Sequence, residues 1–273
     1  MVQYLTATCG VQGDWGLCLL TSAARGGRLN VLEWARSEGY DFEEHIAAVT
    51  RSAAERCSVA ALNWLRQHYN VVYETEHLIT AISTSPQSLE ACQYLVSTGC
   101  QVTLEACEAA ARLADIAILQ WFHEIGACEH TPEICTAAAE DSRFQTLRWL
   151  HEEVHCSWDA FQVAWMACAP YRPKTSESVR VLQYLHEQGE NFADEQLAEL
   201  LNRSVRLADR QGDLVCAKWL RAHGALWPAV LSCEFDNDPG DLVHGDWPEV
   251  AVSWCRAEGC TAPLWSEVQA NDE

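Results

Sequence analysis

An aromatic residue returns along this chain at a nearly fixed interval. Trp34, Trp64, Tyr94, Trp121, Trp149, Tyr184, Trp219 and Trp254 stand 30, 30, 27, 28, 35, 35 and 35 residues apart. A period of roughly 31 residues marks a stack of small supersecondary units, each burying its apolar face only against its neighbours. The 273 residues therefore amount to about eight such units rather than one or two globular domains.

The aromatic sits in a helical pattern. Five residues before it stand Leu29, Val59, Leu89, Ile116, Phe144, Val179 and Leu214, with Glu249 the exception, and two residues before it Leu32, Leu62, Cys92, Leu119, Leu147, Leu182, Ala217 and Val252. Offsets of −5, −2, 0 and +1 trace one apolar stripe on a 3.6-residue helix. Five residues after the aromatic come Gly39, Gly99, Gly126, Gly189, Gly224 and Gly259, in six of the eight units. Glycine there ends a helix in the left-handed conformation at little steric cost.

A first helix is marked upstream by small residues: Ala23-Ala24, Ala53-Ala54, Ser83-Thr84, Ala110-Ala111, Ala138-Ala139 and Ala208. They allow helices of adjacent units to approach closely. Gly26-Gly27 and Gln211-Gly212-Asp213 suit a tight turn between the two helices. The unit is helix, turn, helix, connector. The eight aromatic marks share one helical phase, which makes them core positions between stacked units. Trp121→Ala is accordingly expected to cost about 3 to 5 kcal/mol.

This arrangement resembles the ankyrin-repeat family. The family's two alanines, two variable residues, glycine and aliphatic helix closed by glycine are matched from Ala23-Ala24 through Gly26-Gly27, Leu29 and Trp34 to Gly39, and nearly so from Leu207-Ala208 through Gly212 to Gly224-Ala225. It is similar in particular to the degenerate, Trp-bearing ankyrin-like arrays common in large DNA viruses of amoebae and some protists. The family's Thr-Pro-Leu-His opening is missing, and Cys107 and Cys135 stand where its leucine would be. The periods of 27 and 28 fall short of the usual 33 or so, and the shortfall is expected in the projecting β-hairpins. The 34-residue TPR signature is absent. The expected fold is an all-α, ankyrin-type helix-turn-helix repeat solenoid of about eight degenerate repeats, some with shortened hairpin connectors. It runs over residues 1–273 as a single array without a separate catalytic domain. Val2-Gln3-Tyr4-Leu5 before Gly10, and Cys260 to Trp265, read as partial units at the two ends.

Composition narrows the role. Eighteen basic against 39 acidic residues leave a formal charge of −21, which disfavours nucleic acid and anionic membranes, both of which demand clustered Lys and Arg. No apolar run approaches the 18 or so residues of a spanning helix, and the residues from Met1 to Thr6 show neither the basic region nor the apolar run of a secretion signal. The expected location is intracellular and cytoplasmic, in the host cell if the source is viral. The 14 cysteines then stay reduced and behave as small buried hydrophobes.

Candidate sites are few. Two residues after the aromatic mark stand Arg36, Arg66, Val96, His123, His151, His186, Arg221 and Arg256, a basic ladder at helix C-termini. The helix dipole alone accounts for cations there, but stacking would also align them as a docking track for an acidic partner. Arg203, Arg206 and Arg210 share a face of one first helix and form a second basic patch, with Glu199 one turn before Arg203. His151, His155 and Cys156 form the best metal-like cluster, short of a complete ligand set. It carries the alternative reading of a metal-binding or enzymatic helical protein. Asp236 to Asp241 fails as a calcium loop because Trp247 stands where the closing glutamate belongs. No phosphate loop, nucleophile elbow or H-E-x-x-H motif occurs. The expected function is non-catalytic, a monomeric module or scaffold without cofactor that binds a protein partner. The resemblance implies that it does so through the concave face and the connector tips.

Overall fold

The computed structural model describes residues 14–84, 88–113, 116–168, 175–206, 214–228 and 249–261. Every regular element among them is an α-helix, and the chain divides into two compact units, Met1–Glu129 and His130–Glu273. The first unit holds α1 (Asp14–Arg25), α2 (Leu29–Ser37), α3 (Phe42–Glu55), α4 (Val59–Tyr69), α5 (Thr75–Thr84), α6 (Leu89–Ser97), α7 (Leu104–Leu113) and α8 (Ile116–Glu124). In the second lie α9 (Pro132–Glu140), α10 (Phe144–Glu152), α11 (Ala160–Ala167), α12 (Thr175–Glu187), α13 (Asp194–Arg206), α14 (Val215–Ala222) and α15 (Glu249–Ala257).

Each aromatic mark falls in a second helix, from Trp34 in α2 to Trp254 in α15. In the first unit the first helices α1, α3, α5 and α7 pack in succession, as do the second helices α2, α4, α6 and α8. The second unit repeats this with α9, α11 and α13 in one layer and α10, α12 and α14 in the other. Over the described residues the chain is an all-α helix-pair repeat protein. The terminal partial units (2–10 and the residues after 261), Ala208, the turn at Gln211-Gly212-Asp213 and the loop from Asp236 to Asp241 lie outside the described residues.

The turn inside three of the pairs is a recurring device. Gly27, Cys57 and Ser142, each seven residues before an aromatic mark, have φ of 61°, 52° and 54°. In all three the next residue donates its N–H back across the helix end: Arg28 to Ala23 O, Ser58 to Ala53 O and Arg143 to Ala138 O, at 2.9, 2.9 and 2.7 Å. This six-to-one bond satisfies a carbonyl that the helix terminus leaves orphaned. Glycine is the easiest residue there, and at Gly27 a Cβ would also meet Ser58 Oγ at 2.8 Å.

The second helices end in the same way. All six glycines at offset +5 have positive φ, and after Gly39, for example, Tyr40 N–H donates to Ala35 O. The two units without that glycine move the left-handed residue one place on, to Asn70 and His155, with φ of 50° and 56°.

Two expectations need correction. The short periods do not arise from connectors. Connector 98–103 is longer than connector 38–41, whereas α3 has 14 residues and α7 only 10. The first helix has lost about one turn. Hairpin fingers are missing more widely than expected, since residues 38–41, 70–74, 98–103, 153–159 and 188–193 all connect helices without a strand. The aromatic marks, moreover, are not uniformly core. Trp64 and Tyr184 are buried, while Trp34, Tyr94, Trp121, Trp149, Trp219 and Trp254 are half-buried.

The deepest positions of the second helices are offsets −2 and +1. Leu119 and Phe122, which flank the half-buried Trp121, are both fully buried. On a 3.6-residue helix, −2 and +1 are adjacent turns of one face, and the mark lies at its edge. The small pair Ser83-Thr84 is likewise displaced from the core. Both residues are exposed at the end of α5, and Ala81 and Ile82 are buried instead.

Four of the marks touch a second aromatic placed in the preceding connector or, for Phe42, directly after it. Phe42 meets Trp64, Tyr73 meets Tyr94, Trp158 meets Tyr184 and Trp227 meets Trp254, with ring centroids 5.5, 6.2, 5.9 and 5.6 Å apart. Tilted and edge-on pairs at such distances suit the ring quadrupoles.

Candidate recognition surface

The basic ladder sits in the last turn of the second helices, where orphaned carbonyls favour cations. In the first unit Arg36, Arg66 and His123 are exposed. Arg36 Nη1 donates to His68 Nδ1 at 2.7 Å, and Arg66 Nη1 donates to Thr98 O at 2.9 Å. Both bonds run from one repeat to the next.

In the second unit the ladder is more deeply engaged. His151 stacks on Trp158 with centroids 4.0 Å apart and planes 1° from parallel, and its Nδ1 is 2.9 Å from Tyr184 Oη. Tyr184 in turn donates to Glu152 Oε1, while Arg148 Nε donates to Glu152 Oε2 at 2.9 Å. The Arg148 guanidinium holds the Glu152 carboxyl below its usual range, and burial, reinforced by the Glu152 charge, pushes the Tyr184 phenol up to about 12. His186 lies edge-on to Trp219 and His223. Arg221 and Arg256 turn back on their own helix ends, donating to Ala225 O and Cys260 O, and Arg221 also covers the Trp227 ring at 4.8 Å. The ladder residues are thus tied largely to the stack and to helix ends.

Arg203 is half-buried. Its Nε donates to Trp165 O at 3.1 Å and its guanidinium lies 4.4 Å from the centre of the Trp165 ring. The Arg206 side chain and Arg210 lie outside the described residues.

The metal-like trio is dispersed. His151 is stacked on Trp158, His155 occupies the left-handed helix end, and the Cys156 thiol donates to His130 O at 3.1 Å. Among the described residues no group of three or more His, Cys, Asp or Glu is placed to hold a metal ion. Several of the buried thiols are poor nucleophiles. Burial pushes Cys92 up to about 12 and Cys168 and Cys255 to about 11, and it raises Cys135, next to Cys156, as well. A protonated thiol neither attacks nor ligates.

Exposed aliphatic side chains are the feature that the repeat pattern does not announce. Val72, Leu104, Ile125, Val215 and Leu226 are 80, 43, 45, 42 and 57% exposed. Val72, Ile125 and Leu226 stand in segments that follow second helices, and Leu104 is the first residue of α7. The paired aromatics, by contrast, have a signal in the sequence, since Phe42, Tyr73, Trp158 and Trp227 follow a mark by eight or nine residues.

No helix among the described residues is long and apolar enough to cross a membrane. No protein-family model and no curated protein sequence matches the chain. Among solved structures it is similar to that of the pentatricopeptide repeat protein PPR10 from maize, at 16% identity and a TM-score of 0.34 over 83% of this chain. The chain spans 37% of the length of that protein.

Proposed function

We propose that the chain is an ankyrin-type array, continuous over residues 1–273, that binds a protein partner without catalysing a reaction. One observation carries this reading: exposed aliphatic side chains stand at the connectors of the first unit, at Val72, Leu104 and Ile125. Apolar surface rimmed by polar residues is what a partner buries. The recurring positions are occupied in holding the stack together. The helix pairs closed by left-handed turns support the ankyrin type, and the location expected is the cytoplasm.

The test is capture of partners from extracts of the native cell by the purified full chain, followed by mass spectrometry, with Val72→Asp/Leu104→Asp as the comparison. Both residues are exposed, so the variant should melt like the parent and lose the captured protein. Retention of the same partner by the variant would move recognition away from this edge.

A further inference from the structure

We propose that an arginine-lined cleft at the turn end of the first helices α1 and α3 binds a phosphorylated serine or threonine side chain of a partner protein. The proposal deepens the protein-binding reading and rests on it. The cleft measures about 690 Å³. Arg25, Arg28 and Arg56 line it, together with Glu55, Ser22 and Thr84. Arg25 ends α1, Arg56 follows the last residue of α3, and Arg28 follows the left-handed Gly27.

Helix-end cations alone do not account for the arrangement. Arg25 is neutralised by Glu55 at 2.6 Å. Arg28 and Arg56 are exposed, and neither side chain makes a hydrogen bond or ion pair among the described residues. In a chain with 39 acidic residues, two arginines that line one cleft thus have no carboxylate partner among the described residues. Three arginines and one glutamate leave a local charge of +2, which matches a phosphate monoester carrying roughly −1.5 to −2 near pH 7. Guanidinium forks suit phosphate oxygens in bidentate pairs. The walls at Leu19 and Val31 offer apolar surface for residues beside the phosphate, which a peptide supplies and free phosphate does not.

A nucleic acid is disfavoured at the same place. Its extended backbone would meet the field of a chain of charge −21, whereas a single phosphate is screened from distant acid beyond about 8 Å at physiological salt.

The experiment titrates the full chain with a capped Ala-Leu-phosphoserine-Leu-Ala peptide, with its unphosphorylated form and with inorganic phosphate, by calorimetry. Saturable binding of the phosphopeptide is expected, at least tenfold tighter than inorganic phosphate, with no binding of the unphosphorylated peptide. Arg28→Ala/Arg56→Ala should weaken it at least tenfold while leaving the melting midpoint in place. Glu55→Gln, which releases Arg25, should tighten it several-fold. No phosphopeptide binding, binding unaffected by the double variant, or equal affinity for inorganic phosphate would each overturn the proposal. Any of these results beside partner capture that still depends on Val72 and Leu104 would leave the connector-edge reading standing, so the two fail separately.

Discussion

Truncating two neighbouring rings in α8 separates the core of the repeat from its edge. Phe122 is fully buried, while Trp121 is half-buried, with ring centroids 5.3 Å apart. A buried Phe→Ala change costs about 3 to 5 kcal/mol through lost transfer energy and the cavity left behind. Trp121→Ala removes a larger ring, but one that remains partly in water and leaves an open notch rather than a cavity, so about 1.5 to 2.5 kcal/mol is expected. For a unit of the size of Met1–Glu129, each kcal/mol moves the melting midpoint by about 4 °C. Phe122→Ala should therefore lower it by about 12 to 20 °C and Trp121→Ala by about 6 to 10 °C. Circular dichroism melts and urea titrations of both variants provide the measurement. A Trp121→Ala variant as destabilised as Phe122→Ala would show that the aromatic mark is the core position and that +1 is not.

Gly99→Ala isolates backbone strain, because φ is +105° and a Cβ there meets nothing within 4 Å. A loss of about 1 to 2 kcal/mol by urea unfolding is expected. His155→Gly runs the other way. With φ of 56°, relief of left-handed strain offset by the extra freedom of unfolded glycine should yield a gain of up to about 1 kcal/mol in the same titration. Alkaline pH tests the thiols. Burial raises Cys92, Cys168 and Cys255 to about 12, 11 and 11, so the fold prefers their neutral form. Their stabilisation is complete below the ordinary thiol value near 9 and is lost as pH climbs from there through 11 to 12. The melting midpoint should hold level to about pH 9 and then fall, and a level profile to about pH 12 would refute this.

The helix pairs were legible because burial imposes a period. Offsets −5, −2 and +1 recur since each second helix must present one apolar face, and the first helical residue falls at −5 in α2, α4, α6, α8, α10 and α15. Glycine at +5 was legible for the same kind of reason, since few residues tolerate positive φ. The fate of the ladder was not. Arg66 bonding Thr98 O and His151 stacking on Trp158 depend on the offset between successive second helices, which one helix's periodicity does not encode. Helix length was misread for a related reason. A shorter period does not say whether the connector or the first helix has given up residues, and α7 shows that it was the helix.

Recurrence and function pull apart in such a stack. A side chain that returns in every unit faces the same neighbour each time, so the stack is the economical explanation for it, and Arg36, Arg66 and His151 illustrate this by bonding the next repeat. A side chain left exposed is not spent on the stack. Val72 at 80% exposure is of this second kind, as are the exposed Arg28 and Arg56, which have no ion-pair partner among the described residues. Exposed aliphatic side chains and unpaired surface cations are ordinary on their own, and these ones are left open to a partner because the stack does not use them. Recognition is therefore expected where side chains are left exposed, at the connector edge and in the arginine cleft, rather than along the ladder that the period displays.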